Sequence, residues 1–346
     1  MRNQTAISRI QIYFEEVKEW RNTLGQKRLS LFLTQTVVLT LVLSLAASRA
    51  QGQVGSDKTV IQKAMEQFEN SPLKTTALGN GIFIFFGDGG NITAIGNDAS
   101  TLLIDSGIDS RVSELSGAIF KGTGRPVTRL VNTHWHFDHT GGNVYFGSGG
   151  VIIIAQENVK KRLSSVQSVP FTGLRDGHYP SLALPTVTYS SSTELRQGSQ
   201  QLTLVNYGPS HTDGDTVIYI SPANVAVVGD LFSNHVYPII DLASGGSIDG
   251  MIQSLDRILA QTDEQTKIVP GHGALATRAD LQNYREMLVE VRQRIKALIT
   301  AGKTIDEVVA TAPTKEFDAA WGTGYVTPEV FTKMVFSSLA NTGASR

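Results

Sequence analysis

Cysteine is absent from the 346 residues. That excludes disulfides, thiolate metal sites, a Cys nucleophile and a lipid-modified Cys, so any metal held here must be held through nitrogen and oxygen. Neither charge sign is in excess, with 30 Lys/Arg against 31 Asp/Glu, which excludes the strongly basic footprint of a general nucleic-acid binder. Long apolar runs are missing too. The most apolar stretch, Thr36–Ala47, has 12 residues, against the roughly 20 that a membrane-spanning helix needs. The apolar content of 41% excludes wholesale disorder. The length accommodates one large domain or two ordinary ones.

The short apolar stretch has the layout of an export signal. Arg21, Lys27 and Arg28 precede it, and Ser48-Arg49-Ala50 follows with small residues at the places a signal peptidase reads. Residues 1–50 are therefore expected to be a signal peptide with a long n-region, cut after Ala50, in a periplasmic or secreted protein. Extending the run back to Leu29 takes in Ser30, Thr34, Gln35 and Thr36, which leaves an uncleaved membrane anchor as the alternative. Residues 1–50 hold seven Lys/Arg and three Asp/Glu, so the rest of the chain carries 23 basic and 28 acidic residues. An acidic balance offers no attraction to nucleic acid or anionic lipid. The expected partner is a small-molecule substrate, with no stable membrane association after signal cleavage.

Beyond residue 50 the pattern alternates strands and helices. A linker and helix occupy 51–75, the helix around Thr59–Glu69. β-like runs follow at Gly81–Phe86, Asn91–Ile95 and Thr101–Asp105, punctuated by Gly, Asn and Asp. A helix is predicted from Asp109 to about Phe120, then strands at Val127–Asn132 and Val151–Ala155, with a basic helix after the second. Residues 164–190 are rich in Ser, Pro, Gly and Thr without period and read as a long loop. Leu202–Asn206, Thr216–Ile220, Val225–Val228 and Lys267–Val269 read as strands. Ile252, Leu255, Ile258 and Leu259 set a helical spacing within Ser247–Gln261. Arg278–Thr300 is a further helix. Thr304-x-x-Glu307 is a capping box and Thr327-Pro328 a second helix start, giving a helical extension over 301–346. Two α/β halves packed sheet on sheet, with helices outside, account for this order.

The chain has seven histidines, and three of them fall within six residues. The segment Val131-Asn-Thr-His-Trp-His-Phe-Asp-His-Thr-Gly-Gly-Asn143 places His134, His136 and Asp138 on one side of an extended chain leaving a strand. Trp135 and Phe137 point the other way. His139 breaks the alternation and is free to serve a neighbouring metal. Imidazole and carboxylate suit zinc, iron or manganese. His211, Asp230 and His272 each lie where a predicted strand meets a loop, positions from which a scaffold can aim ligands at one point.

His134-x-His136-x-Asp138-His139, followed by His211, Asp230 and His272, resembles the metallo-β-lactamase superfamily over residues 76–300. The resemblance implies an α/β protein with an αββα four-layer sandwich and a two-metal site, Zn2+ being the expected ion at two per chain. By position His134, His136 and His211 would hold the first metal and Asp138, His139 and His272 the second, with Asp230 between them. Two such cations bring the pKa of a shared water towards 7, making it the nucleophile, and Asp138 is placed to orient it. Asp213 and Asp215 are read either as supports for an imidazole N–H or as a solvated turn. His235 and Tyr237 are read as substrate-facing or as part of a loop.

The substrate is narrowed by three features. Ser233 stands where the best-known β-lactamase subclass carries a substrate-holding Lys, three residues after a Cys whose place Asp230 takes here. No Lys or Arg occurs between Arg196 and Arg257, so that stretch supplies no clamp for an anion. An Asp in place of that Cys matches the pattern of glyoxalase II and lactonases. The expected activity is hydrolysis of a carbonyl ester, lactone or amide. β-Lactam hydrolysis is the alternative, and a mononuclear iron persulfide dioxygenase is the alternative from another class.

Overall fold

Alternation of side chains builds a two-sheet sandwich. The computed structural model describes residues 58–343, so the expected export signal lies outside the described residues. The chain enters through helix α1 (Val60–Asn70). The first sheet then collects β1 (Lys74–Gly79), β2 (Ile82–Phe86), β3 (Ile92–Gly96), β4 (Thr101–Ile104), β5 (Val127–Val131) and β6 (Ile152–Gln156). A separate hairpin of β7 (Val166–Val169) and β8 (Leu174–Gly177) precedes β9 (Val187–Tyr189), which completes the sheet beside β6. β1 to β4 pair antiparallel, whereas β4, β5, β6 and β9 pair parallel. The second sheet contains β10 (Ser192–Gln197), β11 (Gln200–Val205), β12 (Val217–Ser221), β13 (Val225–Ser233) and β14 (Lys267–His272) in sequence order. Its pairs are antiparallel except the last, β13 with β14.

Period-2 patterning decides which side chains meet between the sheets. Ile82, Ile84, Leu102, Ile104, Val131 and Ile154 face inward from the first sheet and meet Leu202, Leu204, Ile218, Ile220, Val227 and Val269 of the second. The intervening Phe85, Leu103, Leu130 and Ile153 face outward, onto Val112, Leu115 and Ile119 of α2 (Val112–Thr123). Between β5 and β6 lie the short helices α3 (Phe137–Thr140) and α4 (Asn143–Ser148), and α5 (Glu157–Leu163) follows β6. On the far side, α6 (Ile248–Gln261) and α7 (Arg278–Thr300) cover the second sheet. The layers are thus helix, sheet, sheet, helix, as the resemblance implies.

The segments after α7 are α8 (Ile305–Ala310), α9 (Asp318–Trp321) and α10 (Pro328–Gly343). Val308, Trp321, Phe331, Met334 and Val335 share one buried cluster with the core faces of α6 and α7. The expected extension over 301–346 is therefore continuous with the core along its described part. The same cluster takes in Val60, Ala64 and Phe68 of α1, so the helix expected around Thr59–Glu69 is present and packed against the core. The capping box at Thr304 and Glu307 is present as predicted.

Residues 164–190 differ from expectation. The reading of a long aperiodic loop is corrected to a hairpin, a short 3-10 turn and the edge strand β9. Its apolar residues are few, and most of its surface is exposed; backbone pairing, which composition does not report, makes the strands. The mostly exposed strand β1 escapes the sequence pattern for the same reason.

Leu102, fully buried between the sheets, gives a direct check on this packing. Leu102→Ala is expected to lower unfolding stability by about 2–5 kcal/mol in urea denaturation; an effect below the threshold for exposed sites would place Leu102 outside the core.

Candidate metal centre

The sandwich brings seven ionisable side chains to one edge. His134 and His136 lie on the segment leaving β5, and Asp138 and His139 on α3. His211 lies in the turn before β12, Asp230 within β13 and His272 at the end of β14. β12 is antiparallel to β13 and β14 is parallel to it, so the three converge on the same edge. A backbone bond from Thr216 N to Thr133 O (2.8 Å) joins the two sheets there. Two close groups result, His134, His136, His211 and Asp230, and then Asp138, His139 and His272, with donor atoms within 4.8 Å of one another. Asp230 reaches both: its Oδ2 lies 3.7 Å from His211 Nε2 and 3.3 Å from His272 Nε2. All seven side chains are buried.

The alternation expected through Asp138 is corrected. The chain turns into α3 at Phe137, so Asp138 leaves the extended series and falls in with His139 and His272. Trp135 does turn away, into a cluster with Ala155, Val159 and Leu163, with its indole N–H donated to Ser244 Oγ (3.0 Å). Glycine clears the space: a Cβ at Gly271 would overlap Asp230 Oδ1, and one at Gly90 would overlap the His139 ring.

Hydrogen bonds behind the rings fix what they present in front. Asp105, held at a positive φ of 62° just after β4, accepts from Thr133 N, Thr133 Oγ1 and His139 Nδ1, each at 2.7 Å. The hydroxyl proton of Thr133 is thereby committed to Asp105, so Thr133 Oγ1 accepts from His134 Nδ1 (3.0 Å). His136 Nε2 donates to Asp241 Oδ2 (3.2 Å) and His211 Nδ1 to Ile239 O (2.7 Å). A neutral imidazole has one N–H. With that N–H used behind, each of these four rings turns a lone pair to the front. With both rings neutral, His136 Nδ1 and His211 Nε2 face one another at 3.0 Å as two acceptors; a proton on His136, where burial opposes charge but Asp241 raises the pKa, makes the contact a hydrogen bond donated to His211. His134 Nε2, His139 Nε2 and Asp230 Oδ1 are buried with no hydrogen-bond partner, a costly state for polar atoms. The donor set fits divalent cations, which would satisfy all of these atoms at once.

Without a cation, protons take that place. Burial opposes charge on His272, yet Asp230 and Asp138 push its pKa up to about 9. Burial likewise opposes charge on His139, but Asp230, Asp105 and Asp138 hold it well above the ordinary range. Burial and the neighbouring His139 hold His134 well below it, while burial and His136 bring His211 down to about 4. Asp230 is held well below the usual carboxylate range, the neighbouring His272 and His139 outweighing its burial.

Other expected residues fall elsewhere. Asp213 supports no imidazole: it pairs with Arg162 (Nη2 to Oδ2, 2.6 Å). Asp215 holds the backbone of the His211 turn, accepting from His211 N (2.7 Å) and Thr212 N (2.9 Å), not from a ring. Tyr237 is corrected from a substrate-facing position to the core, stacked on Phe331 with its hydroxyl donating to Asp318 Oδ1 (3.0 Å). His235 is exposed and stacks on Trp321. Sequence reasoning missed Asp105, Asp241 and Thr133. Asp105 ends a strand much as Asp230 was read to do, which was a usable signal; Asp241 had none, because only the tertiary fold brings it to His136.

A family model described as the metallo-beta-lactamase superfamily matches residues 86–272. Among solved structures, a metallo-beta-lactamase from Pontibacter korlensis is 21% identical with a TM-score of 0.53, over 63% of this chain and 99% of that one. The DIM-1 metallo-beta-lactamase is 18% identical with a TM-score of 0.51, over 63% and 98%. The stereoselective inverting sec-alkylsulfatase Pisa1 from Pseudomonas sp. is 16% identical with a TM-score of 0.61, over 82% of this chain and 53% of that one. At these identities the likeness is one of fold.

A ring that binds a cation must give up any proton on its facing nitrogen. His272, with a pKa of about 9, is mostly protonated at pH 8 in the metal-free protein. Zinc added to metal-free protein at pH 8 is expected to release protons, read with an indicator in weak buffer, and its apparent affinity is expected to fall as pH drops below 9. Binding with no proton release would contradict the arrangement described.

Proposed function

Since the chain belongs to the metallo-beta-lactamase superfamily, we propose that it is a two-zinc hydrolase acting on a carbonyl ester, lactone or amide of a small organic molecule. The observation that carries this reading is the convergence of lone pairs. Four imidazoles with their N–H groups committed behind them, together with Asp138, Asp230 and His272, face one buried point.

In this reading His134, His136 and His211 hold one cation, Asp138, His139 and His272 the other, and Asp230 lies between. Bound zinc would supply Lewis acidity and a water acidic enough to ionise near neutral pH. The protein's part is orientation. Asp138, kept ionised by His139 and His272 against the effect of burial, accepts a hydrogen bond from the attacking water and aims it at the carbonyl carbon. Asp105 and Asp241 keep His139 and His136 in the tautomer that leaves a lone pair free. Asp215 and the Ile239 carbonyl fix the His211 turn.

The cavities beside the seven side chains favour an uncharged reacting group. Their walls include Ala64, Phe68, Leu174, Ile239 and Tyr325, and the one Lys or Arg lining either is Lys74, at the outer groove. β-Lactam hydrolysis is a second reading, supported by that same Lys74. Its side chain makes no ion pair among the described residues, so it is free to meet a substrate carboxylate in the groove. A single-iron persulfide dioxygenase would leave part of the ligand set unused. We assign the site of action to the periplasm or exterior on the strength of residues 1–50. Among the described residues no helix is long and apolar enough to cross a membrane.

Purified protein is expected to bind about two zinc per chain and to turn over members of a panel of aryl esters, thioesters and lactones, assayed beside a chromogenic cephalosporin. His136→Ala is expected to cut turnover by more than the roughly 10–100-fold that loss of a ligand's outer partner costs, with the circular dichroism spectrum retained. Undiminished turnover in that variant, or one iron per chain in place of zinc, would remove this reading.

A further inference from the structure

The seven side chains are buried and offer little surface to solvent. His136, Asp138, Asp230 and His272 face a chamber of about 20 Å³, room for little more than one water molecule. A second cavity of about 550 Å³ lies beside it as an open groove. The two share three lining residues, Phe68, His272 and Tyr325. Their rings are packed against one another. Phe68 stacks on His272 with centroids 5.6 Å apart and planes 5° from parallel. Tyr325 meets both rings edge-on, each at 5.8 Å. No substrate carbonyl carrying an acyl chain fits the chamber as it stands.

The part of this barrier best suited to move is α1. It has 11 residues, shorter than the roughly 12–15 at which an isolated helix becomes even marginally stable in water. Its hold on the body comprises three buried side chains, Val60, Ala64 and Phe68, with the partly buried Ile61 and Met65 beside them, a backbone bond from Ile61 N to Thr172 O (3.1 Å), and Arg111 donating to Phe68 O (2.8 Å) and Ser71 O (2.7 Å). All three buried side chains line the chamber. The helix therefore roofs the chamber with its one apolar face.

We propose that α1 is a movable roof over the metal centre, and that the Phe68 ring, packed against both His272 and Tyr325, sets the upper size of the group that passes from the groove to the centre. Phe68 is a specificity-determining residue, acting by exclusion. The substrate's larger part stays in the groove and only its carbonyl end passes the ring. This inference rests on the hydrolase reading for what passes, and on the geometry alone for the barrier itself.

The test uses the zinc-loaded chain and its Phe68→Ala and Phe68→Leu variants, with two dianionic chelators of different girth, dipicolinate and bathophenanthroline disulfonate. Zinc loss is followed optically. The parent is expected to lose zinc much faster to the slim chelator than to the bulky one. Phe68→Ala is expected to erase most of that difference, and Phe68→Leu part of it. Simple loosening of the fold would speed both chelators alike and leave their ratio unchanged, which would overturn the proposal. A parallel panel of p-nitrophenyl esters from acetate to bulky acyl groups should show kcat/KM for the bulky members rising about tenfold or more relative to acetate in Phe68→Ala. If the parent hydrolyses no ester, lactone or amide, the hydrolase reading fails, while the chelator ratio still decides the roof. If Phe68→Ala does not fold, Phe68→Leu decides it.

Discussion

Everything at this edge depends on one carboxylate, that of Asp105. It is fully buried and accepts three hydrogen bonds, from the backbone and hydroxyl of Thr133 and from the His139 ring. Through Thr133 it also decides the proton position on His134. Two of the rings facing the centre thus take their tautomer from a residue that never touches the centre. A carboxylate buried this way is tolerated because all its partners are donors. The positive φ at Asp105 is the local strain that lets the chain turn out of β4 and deliver the side chain inward.

The remaining support repeats the same logic with other groups. Asp241 and the Ile239 carbonyl come from one loop after β13, yet they serve rings from opposite sheets, His136 and His211. Hydrogen bonding behind the ligands leaves lone pairs in front, and lone pairs 3.0 Å apart repel unless something positive lies between them. The site is therefore preorganised for a cation rather than for its own comfort in the absence of one.

Much of this was legible in the sequence, and the unread part has a common cause. The strands that bury Ile82, Leu102 and Val227 are short, near-continuous apolar runs bounded by turn residues and announce themselves. The ligand motif is short-range and names its own residues. What stayed hidden depends on contacts between distant segments. Asp241 is more than a hundred positions from His136. Asp213 and Asp215 sit two residues apart beside a ligand, yet one pairs with Arg162 and the other with backbone amides. Tyr237 looked like a loop residue because its stacking partner, Phe331, belongs to the last helix. α1 was visible as a helix, but nothing local says that its apolar face covers His272.

The seam where Thr216 meets Thr133 has a mechanical consequence. The two sheets share no strand, and the ligand groups draw on both. Ions held there would act as a cross-link between chain segments some seventy to one hundred and forty positions apart. Ligands that bind only the folded state stabilise it by mass action. In this molecule that gain would be concentrated at the joint between the halves, so metal supply would govern how long the sandwich stays shut as well as what it can cleave.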